Sequence, residues 1–318
     1  MSDLPLNIKS KVYRDPDRTI ALCARVSRSR KPVSDLLKEL SNFDRVISLL
    51  SRLYRMGHLS VFEHARFFLV TERNRRTEEL VLLYRFLERT ILSDKIMVSG
   101  NFRTLMEILE GPHDHLKEIV MEVLRSSSFL SRLYRLEGWM DLGATSPLEV
   151  AQYSSGDIQI FVINELDPGP EIEPEARRKH SAITLIVEGC SRVCTHQLVR
   201  HRTMSFTQQS QRYVPPNSDF VVPPSLRGRA ECLAHLNKVF ALYDNLVRGG
   251  VPYEDARFIL PQGVKTRIAV TASGESLENF FRLRLTRDAQ WEIRSLANLV
   301  LNALKELLPD VWGPFQVG

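Results

Sequence analysis

Four short apolar runs do most to limit what this chain can become: RFFLVT (66–71), IQIFVIN (158–164), AITLIVE (182–188) and VKTRIAVT (264–271). They are rich in β-branched and aromatic residues, and the last one alternates in polarity. Each reads as a strand. Longer stretches with helical apolar spacing lie between them. Strands interleaved with many helices predict an α/β or α+β fold, a central sheet flanked by helices. No apolar run approaches the roughly 18 residues that cross a bilayer. The opening MSDLPLNIKSKVYRDPDR has no apolar h-region, so no secretory signal is expected.

The spacing predicts helices over 16–30 and 35–56, the second stopping at Gly57, where a left-handed residue closes a helix well. Residues 77–92 and 115–135 also carry apolar residues at helical spacing. VSGNFRTLMEIL (98–109) reads as a turn leading into a helix, and DPGPEIEPEARRK (167–179), with three prolines, as an exposed loop. The whole segment 73–180 therefore reads as a mostly helical insertion within a single domain spanning 1–318. Further helices are predicted over 191–204, 228–248, 275–285 and 289–307, the last stopping before Pro309.

Cys23, Cys190, Cys194 and Cys232 lack the paired spacing of a zinc site, so reduced thiols in a cytoplasmic protein are expected. His113 and His115, two apart on an expected loop, read as polar surface, and no metal is expected. A net charge of +5 permits an acidic ligand without requiring nucleic acid.

The stretch RHRTMSFTQQSQRY (200–213) is chemically unusual. Between residues 190 and 230 there are six arginines, one acid and no lysine. Arginine presents a planar fork that matches phosphate or carboxylate and keeps its charge when partly buried. On a continued helix Gln197, Arg200, His201 and Met204 would share a face. In an extended segment Gln208, Ser210 and Arg212 would point the same way. Such a set suits a nucleotide, each charge-assisted hydrogen bond contributing roughly 1.5–3 kcal/mol. A basic helix face meeting solvent or an acidic partner is the other reading that these residues leave open.

HQLVRHRTMSFTQQSQRYV (196–214) contains Arg200-His201-Arg202, seven residues, then Ser210. It resembles the RHR-x7-S signature of flavin-dependent thymidylate synthases. GHLSVFEHARF (57–67), ARFILP (256–261), SLENFFRLR (276–284), AQWEIR (289–294) and DPDRTIALCARVSRS (15–29) resemble further elements of that family, in the family's order. The resemblance covers 10–72 and 182–312.

That resemblance implies reductive methylation of dUMP to dTMP. Methylenetetrahydrofolate is the carbon donor, and NADPH supplies electrons through FAD. It implies a homotetramer with shared active sites, and no nucleic-acid or membrane partner. By position in the motifs, Arg284 would be the catalytic arginine that stabilises negative charge on the pyrimidine. Gln197, Arg200, Gln208, Ser210, Arg212, Arg257 and Arg284 resemble the dUMP contacts. Ser60, Glu63, Arg200, His201, Arg202 and Asn279 resemble FAD contacts, and His58 would lie near the folate.

Two acids depart from the pattern. Where the family carries N-A-R before a helix, this chain has Ser273, Gly274 and Glu275, and Asp288 replaces a histidine. SGNFRTLMEIL (99–109) looks like the missing element placed earlier in the chain, so Asn101 and Arg103 are expected to take over the lost FAD contacts. A catalytically altered relative that binds nucleotide or flavin without methylene transfer is one competing reading. A nucleic-acid-binding protein is another.

Overall fold

The computed structural model describes residues 8–84, 86–136, 148–216 and 219–316. The fold is of the expected α+β class, built on two antiparallel sheets rather than one. The first sheet has four strands, β1 (Lys9–Val12), β2 (Arg66–Glu72), β3 (Glu88–Ile91) and β4 (Lys95–Asn101), in the order β1-β2-β4-β3. The second has β5 (Ala151–Ser155), β6 (Ile158–Leu166), β7 (Ala182–Ser191), β8 (Ser205–Gln208) and β9 (Lys265–Ser273), in the order β5-β6-β7-β9-β8. All four apolar runs are strands, and β2 and β7 are almost wholly buried.

The N-terminal helices are α1 (Pro16–Val26), α2 (Val33–Leu40) and α3 (Phe43–Arg55). The single helix expected over 35–56 is thus two. Asn42 breaks it, its side chain accepting from Arg45 N at 3.2 Å and capping α3. A short amide side chain competes with the backbone in this way, and such a cap contributes about 1 kcal/mol. Gly57 follows α3 with φ +72°, as a helix stop of this kind requires.

Segment 73–180 is more mixed than its periodicity suggests. It contains α4 (Arg75–Leu83), α5 (Phe102–Glu110), α6 (Asp114–Leu124), α7 (Ser128–Leu133) and α8 (Pro174–His180), but also β3 to β6. The helix expected over 77–92 ends at Leu83, and its last residues become β3, paired to β4. Residues 98–101 are the end of β4, not a turn, because they pair with β2. The proline-rich loop contains α8, with Pro174 at its start and Glu173 capping it.

The C-terminal part holds α9 (Arg192–Leu198), α10 (Ala230–Arg248), α11 (Tyr253–Ala256), α12 (Gly274–Arg284), α13 (Trp291–Leu307) and α14 (Pro309–Trp312). The helix expected over 191–204 stops at Leu198, because residues 205–208 are drawn into β8 against β9. The shared face of Gln197, Arg200, His201 and Met204 therefore does not form. Beyond Gln208 the chain turns, Tyr213 N and Val214 N both donating to Ser210 O, so the expected alternation to Arg212 is lost as well.

Two apolar clusters hold these layers. One joins α1–α7 to β2 and β4; the other packs α9, α12, α13 and α14 on β7 and β9. Several polar side chains inside them are paired. Asp15 and Arg18 form an almost fully buried ion pair at 2.5 Å, and Arg18 Nε also donates to Leu40 O. Asp17 accepts from Ser127 Oγ and Phe129 N, tying α1 to the α6–α7 turn. No helix among the described residues is long and apolar enough to cross a membrane.

Candidate active site

β7 runs directly into α9, and the junction is built around a buried carboxylate. Glu292, 2% exposed on α13, accepts from both Ser191 N and Ser191 Oγ at 2.6 Å. Ser191 Oγ in turn accepts from Cys194 N and caps α9. The AQWE element thereby sets the direction in which the RHR residues leave the sheet.

Immediately after α9 the three basic residues diverge. His201 is buried, whereas Arg200 and Arg202 are exposed. Arg284, at the end of α12, donates from Nε to His201 Nε2 at 3.0 Å and from Nη2 to Gln197 O at 3.4 Å. His201 Nε2 is therefore an acceptor, and its ring sits edge-on to Phe280 at 5.0 Å. Burial first, then the Arg284 charge, lowers the His201 pKa to about 4.

The other nucleotide candidates lie around the following turn. Gln208 donates to Thr195 Oγ1 and Thr266 Oγ1. Ser210 N donates to Ser27 O, docking the turn on the end of α1. Arg212 pairs with Glu254 at 2.7 Å, and Arg257 Nε donates to Glu254 O. Arg28 and Arg212 both lie over the Tyr213 ring, at 4.6 and 5.5 Å.

A cleft of about 610 Å³ lies between the two sheets' ends. Of the predicted cofactor residues, Glu63, Asn101, Arg103, Arg202 and Asn279 line it; Ser60, Arg200 and His201 do not. His58 and Ser60 are exposed near the 3-10 turn of residues 59–64. None of the seven dUMP candidates lines this cleft. Arg103 reaches Glu63 Oε1 at 2.7 Å and Glu107 Oε1 at 3.1 Å. Asn101 Oδ1 accepts from Thr104 N and caps α5.

None of the sequence motifs points to Arg66. It is 5% exposed, lines the cleft and pairs with Glu88, while its Nε has no hydrogen-bond partner among the described residues. The available signal was a lone charge at the head of an otherwise apolar strand. Elsewhere, His113 and His115 are not on a loop but at the start of α6, facing Glu79 of α4 at 3.9 and 3.1 Å. These three side chains can hold a divalent cation. None of them lines the cleft.

A profile of the thymidylate synthase complementing protein family (Thy1) matches residues 175–310. A flavin-dependent thymidylate synthase from Pyrococcus furiosus is 50% identical over 132 residues, which are 39% of this chain and 54% of that protein. One from Pyrococcus horikoshii is 43% identical over 187 residues, 55% of this chain and 73% of that protein. This chain belongs to the flavin-dependent thymidylate synthase family.

The match to the Pyrococcus furiosus and Pyrococcus abyssi flavin-dependent thymidylate synthases spans only 54% and 61% of their lengths. A solved structure, the UMP/dUMP methylase PolB from Streptomyces cacaoi bound with 5-Br dUMP, aligns at 20% identity and a TM-score of 0.43, covering 49% of this chain and 93% of that one. The two acids that depart from the flavin-dependent thymidylate synthase pattern have different surroundings. Glu275 lines the cleft and faces Lys179 at 3.9 Å, whereas Asp288 is not among the cleft residues.

Proposed function

We propose that this chain carries out reductive methylation of dUMP to dTMP, with methylenetetrahydrofolate as carbon donor and NADPH as reductant. The observation that carries this reading is the cleft lined by Arg66, Arg103 and Arg202 in a member of this family. Its volume falls in the range of ligand sites. The unpartnered Nε of buried Arg66 fits an anionic group such as the diphosphate of FAD. Asn101, Arg103, Arg202, Glu63 and Asn279 would complete that seat. FAD, when bound, supplies the reducing electrons taken from NADPH.

The chain's own residues bind, orient and polarise. Arg284 is the catalytic arginine in this reading: its fork stabilises negative charge on the pyrimidine, an effect worth most where water is excluded. His201 holds that fork by accepting at Nε2, and burial keeps its ring neutral at physiological pH. Arg200, Arg212 and Arg257 bind phosphate, while Gln197, Gln208 and Ser210 supply neutral hydrogen bonds. Ser210 is a contact and not a nucleophile, having no histidine among its hydrogen-bond partners. These residues lie outside the cleft, in keeping with a nucleotide site completed by another copy in a homotetramer. His58, exposed beside the cleft's 3-10 turn, would meet the folate. A cytoplasmic location accords with four free thiols.

The test is tritium release from dUMP labelled at C5, with purified protein, FAD, methylenetetrahydrofolate and NADPH. Release that requires every component, with dTMP recovered, is the expected result. No release from folded protein supplied with all components would overturn the reading.

A further inference from the structure

The two sheets repeat one another residue by residue. In the first, β2 pairs with β4 so that Phe68 faces Ser99 and Arg66 faces Asn101. In the second, β7 pairs with β9 so that Thr184 faces Thr271 and Ala182 faces Ser273. On the far side of the central strand, Thr90 of β3 faces Met97 and Thr207 of β8 faces Ala269. Both central strands run straight into a helix, capped by Asn101 in one case and Ser273 in the other, each accepting from the amide three residues on. The order β1-β2-β4-β3 thus matches β6-β7-β9-β8, with β5 added at the edge.

The contacts between the sheets are reciprocal. His64 stands two residues before β2, and its ring nitrogens bond Thr271 and Thr207 of the second sheet, both at 2.8 Å. His180 stands two residues before β7, and its ring nitrogens bond Ser99 and Thr90 of the first sheet, at 2.8 and 3.0 Å. Ser99 and Thr271 are equivalent by register, as are Thr90 and Thr207. An interface in which residue i meets j and j meets i is the mark of a two-fold relation. Here it is internal to one chain.

The cleft lies across this internal two-fold. It is lined by the start of α5 (Arg103, Thr104) and by the equivalent start of α12 (Glu275, Ser276). The two halves differ in charge. Arg103 pairs with Glu63, just before His64; at the equivalent positions Glu275 faces Lys179, just before His180. The same contact exists twice with its polarity reversed. Arg66, whose Nε is buried and unpartnered, has Ala182 as its equivalent.

We infer that the chain is two copies of one sheet-and-helix unit fused into an internal dimer, and that only the α5 half of the shared cleft seats a diphosphate, giving one FAD per chain. This rests on the flavin reading above and goes beyond it in site number and placement. Glu275 is then no obstacle to the cofactor, since it marks the half-site that has been lost. Residues 73–136 complete the first unit and do not interrupt a domain. The family profile, at 175–310, falls within the second unit alone.

The experiment is a titration of flavin-free full-length protein with FAD, followed by flavin fluorescence, on wild type, Arg103→Ala and Glu275→Ala, with folding checked by circular dichroism. One FAD per chain, weakened tenfold or more by Arg103→Ala and no weaker in Glu275→Ala, is expected. Two FAD per chain, or equal weakening by both substitutions, overturns the single half-site while leaving the flavin reading intact. No FAD binding by folded wild type overturns both.

Discussion

Arg284 Nε donates to His201 Nε2 across 3.0 Å, so the two RHR-motif and α12 elements meet through one defined tautomer. The acceptor role requires an unprotonated Nε2, and burial lowers the ring's pKa to about 4. His201 should therefore show no titration near 6.5 when followed by NMR of its ring. Replacing Arg284 with lysine removes the fork and one fixed donor. Negative charge on the pyrimidine in the proposed reaction would then lose a stabilisation of the order of 100-fold in kcat. A kcat within threefold of wild type, or a His201 pKa near 6.5, would count against this geometry.

Glu292 makes two short bonds to Ser191 from a buried position. Glu292→Ala leaves the Ser191 amide without an acceptor in the interior, a cost of about 1–3 kcal/mol. Urea denaturation should show a lower midpoint with an unchanged slope. An unchanged midpoint would mean that Glu292 does not hold the β7–α9 junction.

Arg66 and Glu88 form a nearly buried pair. Arg66→Met alone leaves the nearly buried Glu88 carboxylate without its charge partner, held only by the Ser99 hydroxyl, and should cost about 3 kcal/mol. The double variant Arg66→Met with Glu88→Gln removes both charges and should recover most of that stability. Its FAD affinity should nonetheless stay at least tenfold below wild type. Full affinity in a stable double variant would remove Arg66 from the cofactor seat.

Stability should fall as pH drops below neutral. Folded His64 and His180 have pKa values lowered to about 3 by burial, while unfolded histidines titrate near 6.5. Below pH 6.5 the unfolded chain thus binds more protons, and each histidine removes about 1.4 kcal/mol of stability per pH unit. Asp17, raised to about 6 by burial, works the other way between about pH 4 and 6, because there the folded state holds the extra proton. His201, lowered to about 4, adds a third histidine slope in that window, so about two should survive the opposing Asp17 term. His180→Gln, which bonds the same hydroxyls without titrating, should roughly halve what remains. Equal slopes in the two proteins would show that His180 is not held neutral.

Elements whose signal is local were legible from the residues alone. The apolar runs at 66–71, 158–164, 182–188 and 264–271 became strands, and 228–248, 275–285 and 289–307 became helices close to their expected limits. The RHR-x7-S stretch carried the family, and SGNFRTLMEIL carried the pointer to Asn101 and Arg103. Tertiary structure alone decided what depends on pairing between distant segments. Residues 88–91 left their helical pattern because β4 offered them a partner strand, and the helix expected to run to 204 stopped at Leu198 because β9 drew in residues 205–208. Strand register, the reciprocal seats of His64 and His180, and the opposite charges of Arg103 and Glu275 across one cleft are all settled by contacts between remote parts of the chain. Periodicity reports only which face of a segment is apolar, never which other segment will cover it.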